Sequence, residues 1–222
     1  LYATHGLGPV AQCMDIHRGD RFTTLVAMDT ESFFGKDWVE KNTGKECKEF
    51  RNGDHTTTLM RTAKGKVIEI QHNVMTPQPY NRLFKLTGTK GYATKYPTPE
   101  FALSGEALKG TDAPQMDNLN AHGFMNAEQK KALQKKYYHP ILTKYVEKGR
   151  QMGHGGMDYV MDARLVYCLQ NGLPLDMDVY DLAEWCCLAE LGALSMDNNC
   201  AAVSFPDFTR GHWNEVKGFK HA

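Results

Sequence analysis

The sequence has no excess of charge of either sign: its 222 residues include 26 Lys and Arg and 26 Asp and Glu, so the formal net charge is zero. Nucleic acids and anionic membrane surfaces attract proteins with a basic field, so neither is expected as the main partner. Long apolar runs are also missing, because Phe22–Met28 and Trp185–Leu191 fall far short of the ~18 residues that a membrane-spanning helix needs. With a hydrophobic content of 41%, the composition predicts a folded globular domain.

Three compact motifs are missing as well. No G-x-G-x-x-G follows a strand-like segment, so this chain by itself is not expected to bind a dinucleotide tightly. The nine histidines show no H-E-x-x-H spacing and no pair among the six cysteines has C-x-x-C spacing, so no metal site is predicted. The cysteines are therefore predicted to be reduced, buried thiols. The first residues contain no targeting signal, which leads us to expect a piece of a longer chain.

Hydrophobic periodicity predicts an α+β fold. Segments rich in β-branched and aromatic residues, joined by short links, favour a largely antiparallel sheet. The predicted strands are Phe22–Thr30, Thr56–Arg61, Val67–Met75, Asn81–Leu86, Tyr92–Lys95, Glu100–Leu103 and Ala201–Phe205. The predicted helices are Pro9–Arg18, Ala127–Tyr138, Pro140–Gln151, Met157–Leu169 and Val179–Leu194, and a long loop covers Ser104–Phe124. This order differs from the alternating strands and helices of a Rossmann domain.

The segment Tyr2–Pro9 is the first candidate site. His5 stands directly before a glycine-rich turn that is predicted to open a helix, where free backbone N–H groups suit oxygen-rich ligands. Histidine and tyrosine can also transfer protons to and from sugar hydroxyls or carbon acids. The alternative, which the residues leave open, is that Thr4 and His5 simply cap the helix.

Three further segments have weaker signals. His154 lies among three glycines that would let backbone approach a ligand closely, although the helix dipole alone explains Asp158. Tyr80 follows two prolines that restrict the backbone, so it either projects from the end of a sheet or packs on it. The three carboxylates of Asp176–Asp181 could include a glycosidase pair, but Asp178 as a helix cap explains them better.

Over nearly its whole length the sequence resembles the C-terminal part of glycoside hydrolase family 109, within the Gfo/Idh/MocA oxidoreductases. The segments that carry the resemblance are Tyr2–Gln12, Phe22–Ser32, Asn52–Glu69, Gly153–Asp158 and Leu173–Trp185. It implies one substrate-binding and oligomerisation domain over residues 1–222, without the N-terminal Rossmann domain. The implied fold is an open, mainly antiparallel sheet with helices packed on one face, as in dihydrodipicolinate reductase, and a homo-oligomer formed through the other face.

For the full-length protein the resemblance implies an NAD-dependent glycosidase that cleaves α-N-acetylgalactosaminides. In such enzymes NAD transiently oxidises the sugar C3 hydroxyl, a base removes the acidified C2 proton, the glycosidic oxygen leaves, water adds and the hydride returns. His5 and Tyr2 would be catalytic, with Tyr2 also near the nicotinamide. The implied sugar contacts are Tyr2, Ala3, Thr4, His5, Tyr80 and His154. Without the Rossmann domain, this chain alone is expected to be inactive.

Two alternatives remain at this point. One is a Gfo/Idh/MocA sugar or cyclitol dehydrogenase, and the other is an oligomerisation or glycan-binding module without turnover. The expected partner is a glycan or small sugar that ends in α-linked N-acetylgalactosamine, with no nucleic acid and no membrane span. The resemblance indicates a bacterial protein, and the sequence does not distinguish export to the periplasm from a cytoplasmic location.

Overall fold

The computed structural model describes residues 3–112 and 123–215. Within these ranges the chain forms two compact units. The first contains the described residues up to Pro79 together with those from Asp176 onward, and the second contains those between Tyr80 and Leu175. That the two act as one domain over residues 1–222 stays a prediction.

The first unit is built on a four-stranded antiparallel sheet with the strand order β3-β2-β1-β7. Numbered along the chain, its strands are β1 (Phe22–Asp29), β2 (His55–Thr62), β3 (Val67–Asn73) and β7 (Val203–Ser204). Alternate side chains, such as Leu25, Met60 and Ile68, are buried on one face. The predicted hairpin between β2 and β3 is confirmed, and Gly65 provides its positive φ of 80°.

Two helices, α1 (Thr4–Cys13) and α6 (Val179–Asp197), cover that buried face. Leu7 and Leu188 are fully buried between helix and sheet. The hydroxyl of Ser195 ties α6 to the sheet, because it accepts the N–H of Ala27 at 3.0 Å and donates to the carbonyl of Ala201 at 2.7 Å. The predicted α+β fold, an open, mainly antiparallel sheet with helices on one face, is therefore confirmed.

The prediction for α1 is wrong in its boundaries. The helix was expected at Pro9–Arg18, and it spans Thr4–Cys13 instead. The glycines before Pro9 do not form a turn but lie in the first turns of the helix. Gly8 has a packing reason to be there, since a Cβ at this position would lie 3.2 Å from the Trp185 ring. The helix ends early because Asp15 adopts a left-handed φ of 59°.

The sequence analysis missed α2 (Phe34–Thr43). Its apolar side chains do not mark a buried stripe, since only Gly35 within it is buried. The helix depends on a distant carboxylate: Asp54 accepts the backbone N–H groups of Phe33 at 2.9 Å, Phe34 at 2.6 Å and Gly35 at 2.9 Å. Burial opposes ionisation of Asp54, but these N–H groups outweigh it and lower the pKa of the carboxyl.

The second unit contains a three-stranded antiparallel sheet in the order β4-β5-β6, followed by three helices. The elements are β4 (Lys85–Gly88), β5 (Gly91–Thr94), β6 (Glu100–Leu103), α3 (Ala127–Tyr137), α4 (Pro140–Gly149) and α5 (Met157–Asn171). The side chains of Asn126 and Gln129 form the predicted capping box at the start of α3. The predicted long loop contains a 3₁₀ turn at Gly105–Leu108, and its residues 113–122 lie outside the described ranges.

A buried ionic cluster joins the segment after α1 to α6. The guanidinium of Arg18 donates to both carboxylate oxygens of Asp181, at 2.9 and 2.7 Å, and lies 3.5 Å from Asp178. Next to it, Nε2 of His17 lies 2.6 Å from Oε2 of Glu184, an ion pair by distance rather than a well-aligned hydrogen bond. Among these five residues all but Asp178 are buried. The segment after α1 is therefore held by charge as well as by apolar packing.

The pair of His17 and Glu184 favours bound protons. Burial alone would lower the pKa of His17, but the adjacent Glu184 carboxylate outweighs it, so the pKa is raised above the ordinary 6.5. Burial also raises the pKa of Glu184, and the imidazole of His17 only partly offsets this effect. The folded chain therefore holds a proton on this pair more tightly than the unfolded chain does.

Replacing Asp181 by Asn tests the importance of the cluster. The substitution removes the buried carboxylate that accepts both hydrogen bonds of the Arg18 guanidinium, so we expect the free energy of unfolding to fall by about 3–5 kcal/mol. Urea denaturation of the full-length protein measures this loss. Asp197→Asn is the matched control on the same helix, because it breaks only the exposed pair with Arg51, worth about 0–1 kcal/mol. Equal losses in both variants would contradict a structural role for the buried pair.

The raised pKa values predict how stability depends on pH. The contribution of His17 is complete below pH 6.5 and is lost as pH rises through its raised pKa, and Glu184 acts in the same direction. The free energy of unfolding should therefore decline as pH rises above 6.5. The Cys187 thiol, whose pKa burial raises from 9.0 to about 12, adds to this decline only as pH approaches and passes 9.0. Urea denaturation should show a shallower decline for Glu184→Gln, whereas the exposed control Glu190→Gln should behave like the parent.

Candidate functional site

The first candidate residues lie at the start of α1. Ala3 is buried and precedes the helix, Thr4 is half-buried, and His5 is exposed in the first turn. The carbonyl of Ala3 accepts the N–H of Gly6 at 3.0 Å and of Leu7 at 2.7 Å. The N-cap residue is Ala3, whose methyl group cannot cap, and Thr4 and His5 lie within the first turn rather than at the cap position. Tyr2 lies outside the described residues.

The N-terminal end of α1 carries positive character that its own first turn does not neutralise. The first turn contains no acidic residue, and the first N–H groups of any helix have no partner within it. Such an end suits an oxygen-rich or anionic group. The helix therefore places an exposed imidazole, that of His5, next to a site that favours negative charge.

His72 is a neighbouring imidazole that the sequence analysis did not select. The start of α1 lies over β3, where a Cβ on Gly6 would be 4.0 Å from the Ile70 side chain. His72 follows Ile70 by two residues, so the alternation of a strand places both on the same face. Burial lowers the pKa of His72, and the nearby His55 lowers it further. The sequence did contain a signal for this residue: the alternation in β3 places His72 on the same face as the buried Ile68 and Ile70.

Tyr80 lies in the second unit, ahead of β4. The predicted strand Asn81–Leu86 begins later than expected, because the Asn81 side chain accepts the N–H of Leu83 at 2.7 Å and Leu83 has a φ of 48°. The Tyr80 ring is 73% exposed and meets the Tyr96 ring edge-on at 6.3 Å between centroids. Of the two interpretations of Tyr80, the structure supports projection into solvent rather than packing on the sheet.

His154 is also in the second unit, in a 3₁₀ turn before α5. Its φ is 53°, and Nδ1 lies 2.9 Å from the Asp158 carboxylate. The hydrogen bond and charge of Asp158 raise the pKa of His154. The glycines serve local packing: a Cβ on Gly153 would clash with Asp158, and one on Gly156 would lie 2.7 Å from the carbonyl oxygen of Gly149. The backbone is thus built to hold an exposed imidazole against a carboxylate.

The predicted site residues therefore fall into separate groups. Ala3, Thr4 and His5 share one helical turn of the first unit, whereas Tyr80 and His154 belong to the second and occupy different local clusters there. Two of the three carboxylates of Asp176–Asp181 have structural roles, since Asp178 caps α6 and Asp181 binds Arg18.

A cavity of about 310 Å³ in the first unit contains none of the predicted site residues. It lies beside the end of β1 and the C-terminal part of α6. Its lining is mostly polar and includes Asp29, Glu31, Arg51 and Asp197. The candidate residues at α1 and this cavity are therefore in different parts of the first unit.

Residues 3–112 and 123–215 contain no cluster of three or more His, Cys, Asp or Glu side chains able to hold a metal ion. In the same ranges, none of the helices combines the length and apolar character needed to cross a membrane. All six cysteines are free, and Cys168 is buried as predicted, but Cys13 and Cys186 are exposed. Cys186 is exposed because it lies on the outer face of α6, turned away from the sheet.

The comparison with solved structures supports the fold. An oxidoreductase domain protein from Kribbella flavida superimposes with a TM-score of 0.54 at 14% sequence identity. The match covers 85% of this chain and 47% of that protein. At this identity the likeness concerns the fold alone.

Sequence comparison shows the family. The family described as "Glycosyl hydrolase 109, C-terminal domain" matches residues 1–215. Glycosyl hydrolase family 109 protein 3 of Phocaeicola vulgatus is 85% identical over all 222 residues, which cover 40% of that relative. Protein 1 of Bacteroides thetaiotaomicron is 57% identical, and the match covers all of this chain and 48% of the relative. The chain thus spans less than half the length of these relatives, and it belongs to glycosyl hydrolase family 109, whose C-terminal domain it contains.

Proposed function

We propose that the full-length protein is an NAD-dependent glycosidase that cleaves α-linked N-acetylgalactosamine. The observation that carries this proposal is His5, an exposed imidazole in the first turn of a helix whose positive end has no acidic neighbour in that turn. Family membership supports the hydrolase class. Asp178 and Asp181 have structural roles, which leaves no pair of carboxylates in Asp176–Asp181 and favours proton transfer by other groups.

His5 is proposed to remove the proton from C2 of the sugar. NAD, when bound, supplies the hydride acceptor that oxidises C3 and thereby acidifies this proton. Negative charge then develops on the C3 oxygen, and the positive end of α1 can stabilise it. The first-turn N–H groups suit this oxygen and fit a cofactor or sugar that is rich in oxygen. The nucleotide-binding motif would lie in the part of the relatives that this chain does not cover, so the chain alone should be inactive.

The remaining predicted residues are proposed to position the sugar. Ala3 and Thr4 would contact it beside His5, and Tyr2 would approach both the sugar and the nicotinamide. In the second unit, Tyr80 presents an exposed ring whose hydroxyl accepts a hydrogen bond from Arg82. His154 would donate to a sugar oxygen, because Asp158 keeps its imidazole oriented and favours its protonated form.

His5→Gln tests the proton-transfer role in the full-length protein. Turnover of p-nitrophenyl α-N-acetylgalactosaminide should fall by about 10²–10⁴-fold, the usual contribution of a positioned acid or base. NAD affinity should stay within about twofold, because His5 would act on the sugar. His212→Gln is the matched control, since it also removes an exposed imidazole of the first unit. Loss of turnover and NAD binding together, or of neither, would remove His5 from this role.

The same assay tests the reaction class. The parent protein should release nitrophenol without net formation of NADH, because the hydride returns to the sugar. Accumulation of NADH from the free sugar, with no nitrophenol, would favour the dehydrogenase alternative instead.

We also propose that the open face of the first unit's sheet forms an interface between copies of the protein. Three apolar side chains are exposed on these strands: Met28 at 60%, Leu59 at 46% and Val67 at 60%. An apolar surface of this kind commonly marks a contact.

Leu59→Glu should disrupt this interface, because it replaces an apolar contact with a carboxylate directly opposite Glu69 on β3. Light scattering of the full-length protein should show a shift from an oligomer to a monomer. Val179→Glu, which changes a more exposed apolar residue on α6, should leave the mass unchanged. A monomeric parent, or an unchanged mass for Leu59→Glu, would contradict the proposal.

A further inference from the structure

The segment 80–99 of the second unit is strongly basic although the whole chain is neutral. It contains Arg82, Lys85, Lys90 and Lys95 and no acidic residue. Lys90 is paired with Glu106 at 3.1 Å. The other three make no ion pair within the described ranges, and all three are exposed. This end of the second unit therefore carries a positive field that the unit itself does not neutralise.

Three aromatic rings lie among these cations. Tyr96 is in edge-on contact with both Tyr80 and Phe84, with 6.3 Å between the centroids in each pair. Lys95 lies 5.8 Å from the centre of the Tyr96 ring. We call Tyr80, Arg82, Phe84, Lys95 and Tyr96 the aromatic–cation cluster. Tyr80 is its most accessible ring, so the cluster offers an apolar surface beside unpaired positive charge.

The guanidinium of Arg82 is oriented rather than loose. Its Nε donates to the Tyr80 hydroxyl, and its central carbon lies 5.7 Å from the centre of the Tyr80 ring. Its two terminal nitrogens have no hydrogen-bond partner in the described part of the chain. The two terminal N–H groups of a planar guanidinium match the paired oxygens of a carboxylate or a sulfate. The hydrogen bond from Nε to Tyr80 keeps these two groups in one orientation.

We propose that the aromatic–cation cluster binds an acidic sugar, one that carries a carboxylate or sulfate. Arg82 and Lys95 receive the anionic group, and the rings pack against the apolar C–H face of the sugar. A sugar fits better than a nucleic acid, because only three cations of a neutral chain are unpaired here, too few for a polyanion. Tyr80 is assigned both to the N-acetylgalactosamine and to the acidic sugar. The further idea that the two sugars are neighbours therefore rests on the proposed function.

The binding test uses probes that contain no α-N-acetylgalactosaminide bond, so its outcome does not depend on turnover. The full-length protein is titrated by NMR with methyl β-galactoside, with its 6-sulfate, and with methyl β-glucuronide. A single-stranded DNA decamer is titrated in parallel. We expect the sulfate or the glucuronide, or both, to bind about tenfold more tightly than the neutral sugar, the gain expected of one charge-assisted contact.

Matched variants assign the site. In Arg82→Gln/Lys95→Gln the preference for the acidic probes should fall to about twofold or less. Lys131→Gln/Lys135→Gln removes the same charge from exposed positions on α3 and should keep the preference. Equal affinity of the parent for acidic and neutral probes, or a preference that survives the first double variant, would overturn the proposal. Tighter, Arg82-dependent binding of the DNA would overturn it in favour of a nucleic-acid site. Failure of the glycosidase assay alone would leave this result intact.

Discussion

The first unit depends on the bidentate pair between Arg18 and Asp181. Both side chains are buried, so each charge would be costly without the other. The pair fixes the segment after α1 to the N-terminal part of α6, and Gly8 lets α1 approach the Trp185 ring closely. Together these contacts hold α1, which carries the exposed His5 in its first turn, against α6.

The ion pair of His17 and Glu184 adds a chemical property to the same region. Two groups that both hold protons more tightly in the folded chain make the stability of this unit fall as pH rises. Hydrophobic packing alone would not have this property, because apolar burial does not change the number of bound protons. Two carboxylates of Asp176–Asp181, those of Asp178 and Asp181, also stabilise the fold.

Each unit contains candidate residues of its own. The helix end with His5 offers proton transfer and stabilisation of negative charge, and the second unit has exposed aromatic and cationic side chains around Tyr80 and a His154–Asp158 pair. The proposed chemistry needs both residue types, one for the reacting carbon and one for recognition of the glycan. The aromatic–cation cluster extends the second role from a single tyrosine to a surface with a preferred charge.

The sequence by itself determined the elements whose signals are local. The alternation of apolar residues predicted β1, β2 and β3. The capping box of Asn126 and Gln129 marked the start of α3, and Gly172 marked the end of α5. These signals are local, because periodicity and capping act within a few residues. The family resemblance, too, was in the sequence. Only the tertiary structure decided the start of α1, the existence of α2 and the pairing of Arg18 with Asp181. These depend on Trp185, Asp54 and α6, which are distant along the chain, and local propensity cannot report a partner that folding alone brings near.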